Sequence, residues 1–367
     1  MLAALHASTT FRLIITVSRR DPQLPYKDSR IRSISVDLLT APLTEVADKL
    51  REAGAADATH AFHYTYIEKK DEAESVDVNG RLLSNALAAT ASVAKVLSCF
   101  QLQTGYKYYG VHKGGSELAK QPFKEDSPRG AGPNFYYTQE DLLVRFCATH
   151  NWQYIITRPN HIIGVAKGNF MNLAVSIALY ATLCREQKKP FKFPGNQVSW
   201  NAVTDHSAAE NNAAFQLWAA ENLEKTKGKA FNICNGDQVR FRDLWPKIAK
   251  YGDSHLKEYF DVSLPSDRDA FTIPEPKSGE TANQIVMAKE MPGQLDVWEP
   301  IAKKYNLDPS AYKYATWDFI DFITGLTWSM NGDMSAARQA GWITTVDTFE
   351  MFRKAFDRMK ELKIIPA

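Results

Sequence analysis

The sequence predicts an α/β protein with a doubly wound parallel sheet and a smaller, mostly helical lobe formed by the carboxyl-terminal part. Through the first half of the chain, short β-rich segments alternate with segments whose apolar residues recur at helical spacing. This alternation is typical of a parallel sheet with helices on both faces. The chain has 367 residues, 44% hydrophobic and 23% charged, which indicates a folded globular protein with one large domain or two smaller ones.

The predicted strands are short runs of β-branched and aromatic residues bounded by polar residues, glycine or proline. In chain order they cover residues 13–18, 31–36, 59–64, 95–102, 154–157 and 230–235. The predicted helices cover residues 43–53, 75–90, 139–149, 170–186, 208–223, 241–251, 297–305 and 347–362, and residues 2–8 resemble the end of a further helix. We therefore expect a Rossmann-like dinucleotide-binding domain over residues 1–235 and an intertwined, substrate-capping helical lobe over residues 236–367.

Composition and charge exclude several classes of protein. Lys and Arg number 44 against 42 for Asp and Glu, a balance too even for a protein that binds nucleic acid through its phosphates. No segment approaches the roughly 18 consecutive apolar residues of a membrane-spanning helix. The cysteines are widely spaced and no histidines have the H-x-x-x-H spacing, so we predict neither disulfides nor a metal site. We expect a cytoplasmic protein that binds a small molecule, without membrane or nucleic-acid partners, and that could form a homodimer.

Charged residues follow the first two predicted strands, where a dinucleotide fold binds the adenosine end of its cofactor. Arg19 and Arg20 come directly after the first of these strands, and arginines there match a 2′-phosphate through charge-assisted hydrogen bonds. NADP(H) is therefore favoured over NAD(H), with two solvated surface arginines as the alternative. Asp37 and Leu38 end the next strand and could hold adenine between a carboxylate and an apolar wall, with Asp37 as a helix-entry cap as the alternative.

Candidate catalytic residues lie in two segments. Thr104 and Lys107 follow the predicted strand at 95–102, at the end of the sheet where parallel strands bind ligands. The second segment carries Tyr136 and Tyr137. A phenol with a pKa of about 10 is a poor acid at neutral pH unless a cation or a helix N-terminus stabilises its anion. Lys107 beside Tyr136 would supply that cation, and the alternative is a solvated lysine among tyrosines that merely line a wall.

The helix after the tyrosine pair also bears on the chemistry. Thr138 and Asp141 resemble a capping box, which places the tyrosines immediately at a helix start. Glu140 and Asp141 occupy the positions where the Tyr-x-x-x-Lys pattern of the commoner short-chain dehydrogenases would place its lysine. That pattern is absent, so any lysine that serves the phenol must come from another strand.

Several segments resemble, in chain order, the landmarks of the progesterone 5β-reductase and iridoid synthase-like (PRISE) branch of the short-chain dehydrogenase superfamily. They read LQTGYKYYGVH, PFKEDSPR, NFYYTQEDLL, TRPNHIIG, FPGNQVSWNAVTDHS and AFNICNGD. The resemblance extends over nearly the whole chain and implies an extended short-chain dehydrogenase fold.

The resemblance also implies roles for individual residues. The lysine of LQTGxKxY and the first tyrosine of NFYY form that family's catalytic pair and correspond to Lys107 and Tyr136. In that family the segment after the sixth strand of the fold contacts the nicotinamide; it corresponds to Pro159, Asn160 and Ile162, which follow the strand predicted at residues 154–157. The other candidate cofactor-binding residues, besides Tyr136 itself, are Arg19, Arg20, Asp37, Leu38 and Thr104.

The function implied by the resemblance is that of an NADPH-dependent reductase in secondary metabolism. Members of the family reduce enones at the conjugated carbon, and some reduce carbonyls, in both cases on apolar small molecules. Two alternatives stay open: a non-redox isomerase or cyclase that keeps the same catalytic pair, and a non-catalytic ligand-binding protein of the same fold. Candidate apolar residues of the substrate pocket are Phe170, Met171, Trp200, Phe319 and Trp328.

The chain has no glycine before Gly54, although a dinucleotide fold ordinarily opens with a strand and a glycine-rich turn. Glycine there lets the backbone approach the pyrophosphate, beside the partial positive charge of a helix N-terminus. The pattern indicates that the sequence begins inside the first βα unit, through a misassigned start or a real loss of the phosphate cradle. We expect this chain to be less stable, or to bind NADPH more weakly, than one extended upstream by the roughly twenty residues of a strand and turn.

Overall fold

The computed structural model describes residues 1–22, 24, 26–251 and 271–367, and it has the predicted α/β architecture. Residues 252–270 of the predicted lobe lie outside the described part. The strands are β1 Ile14–Ser18, β2 Ile31–Ser35, β3 His60–His63, β4 Cys99–Gln103, β5 Gln153–Pro159, β6 Ile162–Ile163, β7 Ser207–Ala208 and β8 Lys229–Ile233. The helices are α1 Leu2–Ala7, α2 Leu43–Glu52, α3 Glu72–Val93, α4 Phe135–His150, α5 Leu173–Glu186, α6 Gln197–Asn201, α7 Ala209–Glu221, α8 Leu223–Thr226, α9 Phe241–Tyr251, α10 Met287–Glu290, α11 Leu295–Lys304, α12 Trp317–Gly325, α13 Ser335–Ala340 and α14 Thr348–Glu361.

The strands form parallel sheets. The main sheet has the strand order β3–β4–β5–β8, and α3 and α4 make the crossover connections between its first three strands. Strands β1 and β2 pair as a separate two-stranded parallel sheet, as do β6 and β7. Within the described residues no strand lies between β1 and β3. Each of these two strands therefore has one edge whose backbone N–H and C=O groups pair with no other strand. Every helix in the same residues is too short or too polar to span a lipid bilayer.

The central strands of the main sheet are buried beneath helices, which fixes their position. Leu83 and Leu87 of α3 and Leu143 of α4 pack with Phe100 of β4 and Ile156 of β5. Burying such a side chain stabilises the fold by roughly 1.5–3 kcal/mol. The carboxyl ends of β4 and β5 are therefore held firmly where the sequence predicts chemistry.

The largest apolar core joins the sheet domain to the helical lobe. Helix α5 lies before the predicted boundary at residue 235, yet it packs against α9, α11, α12 and α14 beyond it. Trp245, Trp298 and Phe352 are fully buried in this core. The two parts of the chain thus share one core, and the boundary itself stays a prediction.

Helix α4 begins earlier than the sequence pattern predicts. It starts at Phe135, and its N-cap is Asn134, whose side-chain oxygen accepts a hydrogen bond from the Tyr136 backbone N–H at 3.0 Å. The prediction of a capping box at Thr138 is therefore wrong, because Asn134 satisfies the helix start first and Asp141 instead binds the Arg129 guanidinium. As a result, the tyrosine pair lies inside the first turn of the helix.

Candidate active site

The two tyrosines of the first turn of α4 differ in what their hydroxyl groups contact. The Tyr137 hydroxyl donates to the Tyr108 carbonyl oxygen at 2.8 Å and accepts from the Gly130 N–H at 2.9 Å. The Tyr136 hydroxyl has no hydrogen-bond partner among the residues that the structure describes. Only Tyr136 therefore has a hydroxyl available to a bound molecule.

The Tyr136 ring lies against the carboxyl ends of the two central strands. A Cβ atom built on Gly105, just after β4, would lie 3.3 Å from the Tyr136 hydroxyl oxygen and 3.3 Å from the carbonyl oxygen of Pro159, the last residue of β5. These distances are tight for a methyl group. The missing side chain at Gly105 therefore lets the phenol approach the end of the sheet, where parallel folds bind their ligands.

Carboxylates dominate the electrostatic surroundings of the phenol. Burial raises the pKa of Tyr136 well above its ordinary value, and the nearby Glu68, Glu140 and Glu72 raise it further. The stabilisation of the phenol anion by Lys107 stays a prediction. Tyr136 is accordingly a neutral phenol, suited to donating a hydrogen bond.

Lys107 lies near Tyr136 in the fold, but its ammonium group pairs with a different residue. Its Nζ atom is 2.9 Å from Glu72 Oε2 and 4.7 Å from the centroid of the Phe135 ring. The Phe135 and Tyr136 rings are in turn 4.3 Å apart between centroids. The structure thus places the lysine and the phenol in one cluster, with Phe135 beside both.

Glu140 occupies the place where a Tyr-x-x-x-Lys pattern would put its lysine, and it is buried in an ion pair. Arg158 of β5 donates to it twice, with Nη2–Oε2 at 2.7 Å and Nε–Oε1 at 3.0 Å. The guanidinium carbon also lies 3.4 Å from the centroid of the Tyr108 ring. The Thr104 hydroxyl donates to Glu140 Oε1 at 3.3 Å, so this predicted cofactor-binding group already has a protein partner.

The residues predicted to approach the nicotinamide differ in whether a ligand can reach their side chains. Ile162 lines a cleft of about 190 Å³ together with Tyr64, Gln103 and Gln216. Asn160 is buried, and its side-chain amide donates to both the backbone oxygen and Oδ1 of Asp205, each at 2.8 Å. Ile162 is therefore open to a ligand, whereas the Asn160 side chain is committed to the protein.

Asp205 is a buried carboxylate that links this region to the lobe. Besides Asn160, it accepts hydrogen bonds from the Gly332 N–H at 2.6 Å and the Tyr106 hydroxyl at 3.3 Å. Burial raises the pKa of Asp205 to about 6. Burial therefore disfavours the ionised form relative to an exposed carboxyl, in spite of these bonds, and Asp205 ionises in the folded protein only as the pH rises through about 6.

We expect Asp205→Asn to gain stability relative to the parent protein as the pH rises from 4 to 7. The folded parent holds its Asp205 proton up to a pH of about 6, above the value of 3.8 for the unfolded chain. Its stability therefore falls as the pH rises through that window, whereas an amide does not titrate. The change in the difference approaches about 3 kcal/mol. Urea unfolding of both proteins across this pH range measures the difference in unfolding free energy. A difference that stays constant with pH would contradict the raised pKa of Asp205.

The residues predicted for the adenosine end lie around the carboxyl ends of β1 and β2. Arg19 and Arg20 are exposed, and their guanidinium groups have no partner in the described part of the chain. Asp37 Oδ1 accepts a hydrogen bond from the Leu39 N–H at 2.9 Å. Because α2 begins only at Leu43, Asp37 caps a turn and not a helix.

NADP(H) fits the residues present at both of its ends. Two unpaired arginines are available to a 2′-phosphate, and an unpaired phenol is available at the reacting end. In the cleft beside Ile162, the buried side chain of Asn212 has no partner for either its oxygen or its nitrogen, which indicates that the cleft takes a polar group. No glycine-rich turn in the described residues offers backbone N–H groups to the pyrophosphate.

Sequence reasoning missed three contributors to the site. Gly105 and Arg158 lie within the family landmarks quoted above, but only the three-dimensional contacts show what they do. Glu72 belongs to no motif and precedes the helix predicted at residues 75–90, so only the structure shows that it lies in the first turn of α3, where an acidic residue is favoured.

Comparisons with known proteins show the family of the chain. Residues 24–366 match the family model described as a PRISE-like Rossmann-fold domain. The short chain dehydrogenase gsfE of Penicillium aethiopicum is 32% identical, over 96% of this chain and 91% of its own length. The (S)-8-oxocitronellyl enol synthase CYC2 of Camptotheca acuminata is 30% identical, over 95% of this chain and 85% of its own length.

A further relative and a solved structure extend the comparison. The 3-oxo-Delta(4,5)-steroid 5-beta-reductase of Arabidopsis thaliana is 29% identical, over 90% of this chain and 81% of its own length. The structure of the epimerase Mth375 from Methanothermobacter thermautotrophicus aligns with a TM-score of 0.59 at 14% identity, covering 95% of this chain and 85% of that one. At that identity the structural likeness shows the fold alone.

Proposed function

The chain belongs to the PRISE-like Rossmann-fold family, as its sequence landmarks predict, and on that premise we propose that it is an NADPH-dependent reductase of an enone or carbonyl group on an apolar small molecule. The observation that carries the proposal is the free hydroxyl of Tyr136 at the carboxyl ends of β4 and β5, beside a Tyr137 hydroxyl that is fully hydrogen-bonded. One relative is by name a steroid 5-beta-reductase, which supports reduction as the chemistry.

The proposed cofactor contacts follow from the positions of the candidate residues. Arg19 and Arg20 would bind the 2′-phosphate, and Asp37 with Leu38 would bind adenine. Ile162 would contact the nicotinamide from the cleft at the end of the sheet. When bound, the cofactor supplies a hydride, which leaves negative charge on the carbonyl oxygen of the substrate.

Tyr136 stabilises that charge in the proposed mechanism. Its raised pKa keeps the proton on the phenol, so the hydroxyl donates a hydrogen bond to the carbonyl oxygen as the charge develops. The Lys107 ammonium contributes positive potential from the same cluster. Both groups are held in place before the substrate binds, so little reorganisation is needed at the moment of reaction.

An aromatic wall next to the phenol supports an apolar substrate. The Tyr66 ring stacks on Phe135 with centroids 4.9 Å apart and lies 5.0 Å from the Phe170 ring. Phe170 and Met171 are each more than a third exposed, so apolar surface lies at the edge of this wall. Such surface favours an apolar partner.

Titration with NADPH, followed by nicotinamide fluorescence, and assays of NADPH oxidation with matched enones and ketones test the proposal. We expect saturable binding and oxidation that depends on the substrate. Binding without turnover of any carbonyl compound would favour a ligand-binding protein, and absence of binding would favour a non-redox isomerase or cyclase.

Cofactor choice is expected to depend on Arg19 and Arg20. Replacing both with alanine should abolish the preference for NADPH over NADH, because each charge-assisted contact to the 2′-phosphate contributes at most on the order of 1.5–3 kcal/mol. Dissociation constants for the two cofactors, measured by fluorescence titration, give the preference directly. Equal affinities in the parent protein would remove the basis of this assignment.

We also infer a cytoplasmic location. Its support is the cysteines, which are all free and buried and so are suited to a reducing compartment. A homodimer stays a prediction.

A further inference from the structure

Glu72 lies between the two segments that carry the candidate catalytic pair. It is the first residue of α3, and its Oε2 atom is 2.9 Å from the Lys107 Nζ atom. Its Oε1 atom accepts a hydrogen bond from the Phe135 backbone N–H at 3.2 Å. Phe135 directly precedes Tyr136 and is the first residue of α4. A single carboxylate thus contacts the lysine on one side and the helix turn of the phenol on the other.

A second residue links the same two segments. The Asn134 side-chain amide donates to the Lys107 carbonyl oxygen at 2.8 Å, while its oxygen caps the Tyr136 N–H at 3.0 Å. Asn134 therefore fixes the two backbones relative to each other. In the described residues it makes no hydrogen bond with the Lys107 ammonium, which pairs with Glu72, lies over the Phe135 ring and also attracts the Glu68 carboxylate.

The Glu72 carboxylate has two separate effects. Lysine carries a compact charge on a flexible stem, so an anion is needed to hold its ammonium at one place. The Phe135 N–H is one of the helix-start donors that have no partner within α4, and a negative charge there is also favoured by the helix dipole. The Lys107 and Glu72 side chains are only 17% and 24% exposed, so water screens their attraction less than at an open surface.

We propose that Glu72 is a positioning residue, which holds the Lys107 ammonium and the first turn of α4 in the arrangement that the Tyr136 phenol needs. Glu72 acts through these two groups and does not contact the substrate. The catalytic part of this inference rests on the proposed function, whereas the placement of Lys107 stands independently of it.

Glu72→Gln separates the two effects. The amide keeps the size of the side chain and an oxygen for the Phe135 N–H, but it loses the charge that pairs with Lys107. Glu74→Gln is the matched control, because Glu74 lies in the same helix turn and its carboxylate is 3.8 Å from Lys69, away from the catalytic pair. Glu72→Asp keeps the charge on a shorter side chain.

The first measurement is the acetylation rate of Lys107 by acetic anhydride, followed by peptide mass spectrometry on the full chain without substrate. We expect the rate to rise about threefold to tenfold in Glu72→Gln, the scale of a lost, partly buried ion pair, and to stay unchanged in Glu74→Gln. Equal rates in the parent and Glu72→Gln would overturn the inference. Should Glu72→Gln fail to fold, Glu72→Ala takes its place, and an unchanged rate there would overturn the inference as well.

The second measurement is steady-state reduction of an enone with NADPH. We expect Glu72→Gln to lower kcat with KM and the thermal midpoint unchanged, and Glu72→Asp to recover part of kcat. A loss of kcat that only parallels a fall in the thermal midpoint would show a structural role and overturn the proposal. A parent protein that reduces no carbonyl compound would overturn the proposed function, while the acetylation result would still decide where Glu72 holds Lys107.

Discussion

Tyr136→Phe is expected to lower kcat for carbonyl or enone reduction by about a hundredfold or more, the scale seen when one donor to a developing oxyanion is removed. The substitution keeps the ring, its packing on Phe135 and the backbone cap from Asn134. Only the hydroxyl is lost, and that hydroxyl has no partner in the described part of the protein. Stability should therefore change little, and steady-state kinetics with a thermal melt measures both quantities.

Tyr137→Phe is the matched control for this prediction. It removes the hydroxyl that bridges the Tyr108 carbonyl oxygen and the Gly130 N–H. We expect a loss of stability of about 1 kcal/mol and only a small change in kcat. If Tyr137→Phe abolished activity and Tyr136→Phe did not, the assignment of the reacting phenol would be wrong by one position.

Lys107→Met should affect the same chemical step as Tyr136→Phe. In the proposed mechanism both groups stabilise charge on one substrate oxygen, so their combined effect on kcat should be much smaller than the product of the two single effects. Independent, multiplying effects would show that the lysine acts elsewhere, for example on substrate binding.

Arg158→Met is expected to destabilise the protein by about 3–5 kcal/mol, because it leaves the Glu140 carboxylate buried without its partner. The pair is nearly inaccessible, with side-chain exposures of 3% and 6%. The guanidinium also packs on the Tyr108 ring and binds the Glu125 carbonyl oxygen at 3.0 Å, so its removal loses packing as well as charge. Urea unfolding gives the free energy directly.

The double variant Arg158→Met with Glu140→Gln tests the reason for that loss. Removing the second charge should restore a large part of the stability, because a neutral amide costs far less to bury than an unpaired carboxylate. If the double variant lost as much unfolding free energy as the two single variants together, lost packing and not the unpaired charge would be the cause.

The order and type of most long elements could be predicted from local sequence pattern, whereas the short strands β6 and β7 and the helices α6, α8, α10, α12 and α13 were not predicted. Each predicted strand appears as a strand within a few residues, with the largest shift at β4, which begins at Cys99 and not at residue 95. Apolar periodicity was sufficient to predict α2, α3 and α5, because a helix that buries one face carries apolar residues at helical spacing. Family landmarks placed Tyr136 and Lys107, and the family itself is confirmed by the comparisons.

Helix caps and polar partners were predicted less well. Thr138 and Asn134 are both good cap residues, and local pattern does not rank them when each precedes a plausible first turn. No sequence pattern predicted that Lys107 pairs with Glu72, which precedes it by a whole helix and a strand. Long-range partners of this kind leave no periodic trace in the sequence.

The sequence by itself determined the α/β class, the helical lobe and the family, because each follows from local periodicity or from contiguous motifs, and it predicted two candidate catalytic residues. Only the tertiary structure decided which tyrosine keeps a free hydroxyl, which carboxylate holds Lys107, and that Glu140 is neutralised by Arg158. These outcomes depend on which polar groups meet after the chain is packed. A buried charge or hydroxyl takes whichever partner lies within hydrogen-bond distance, and that choice is made by the fold and not by spacing along the chain.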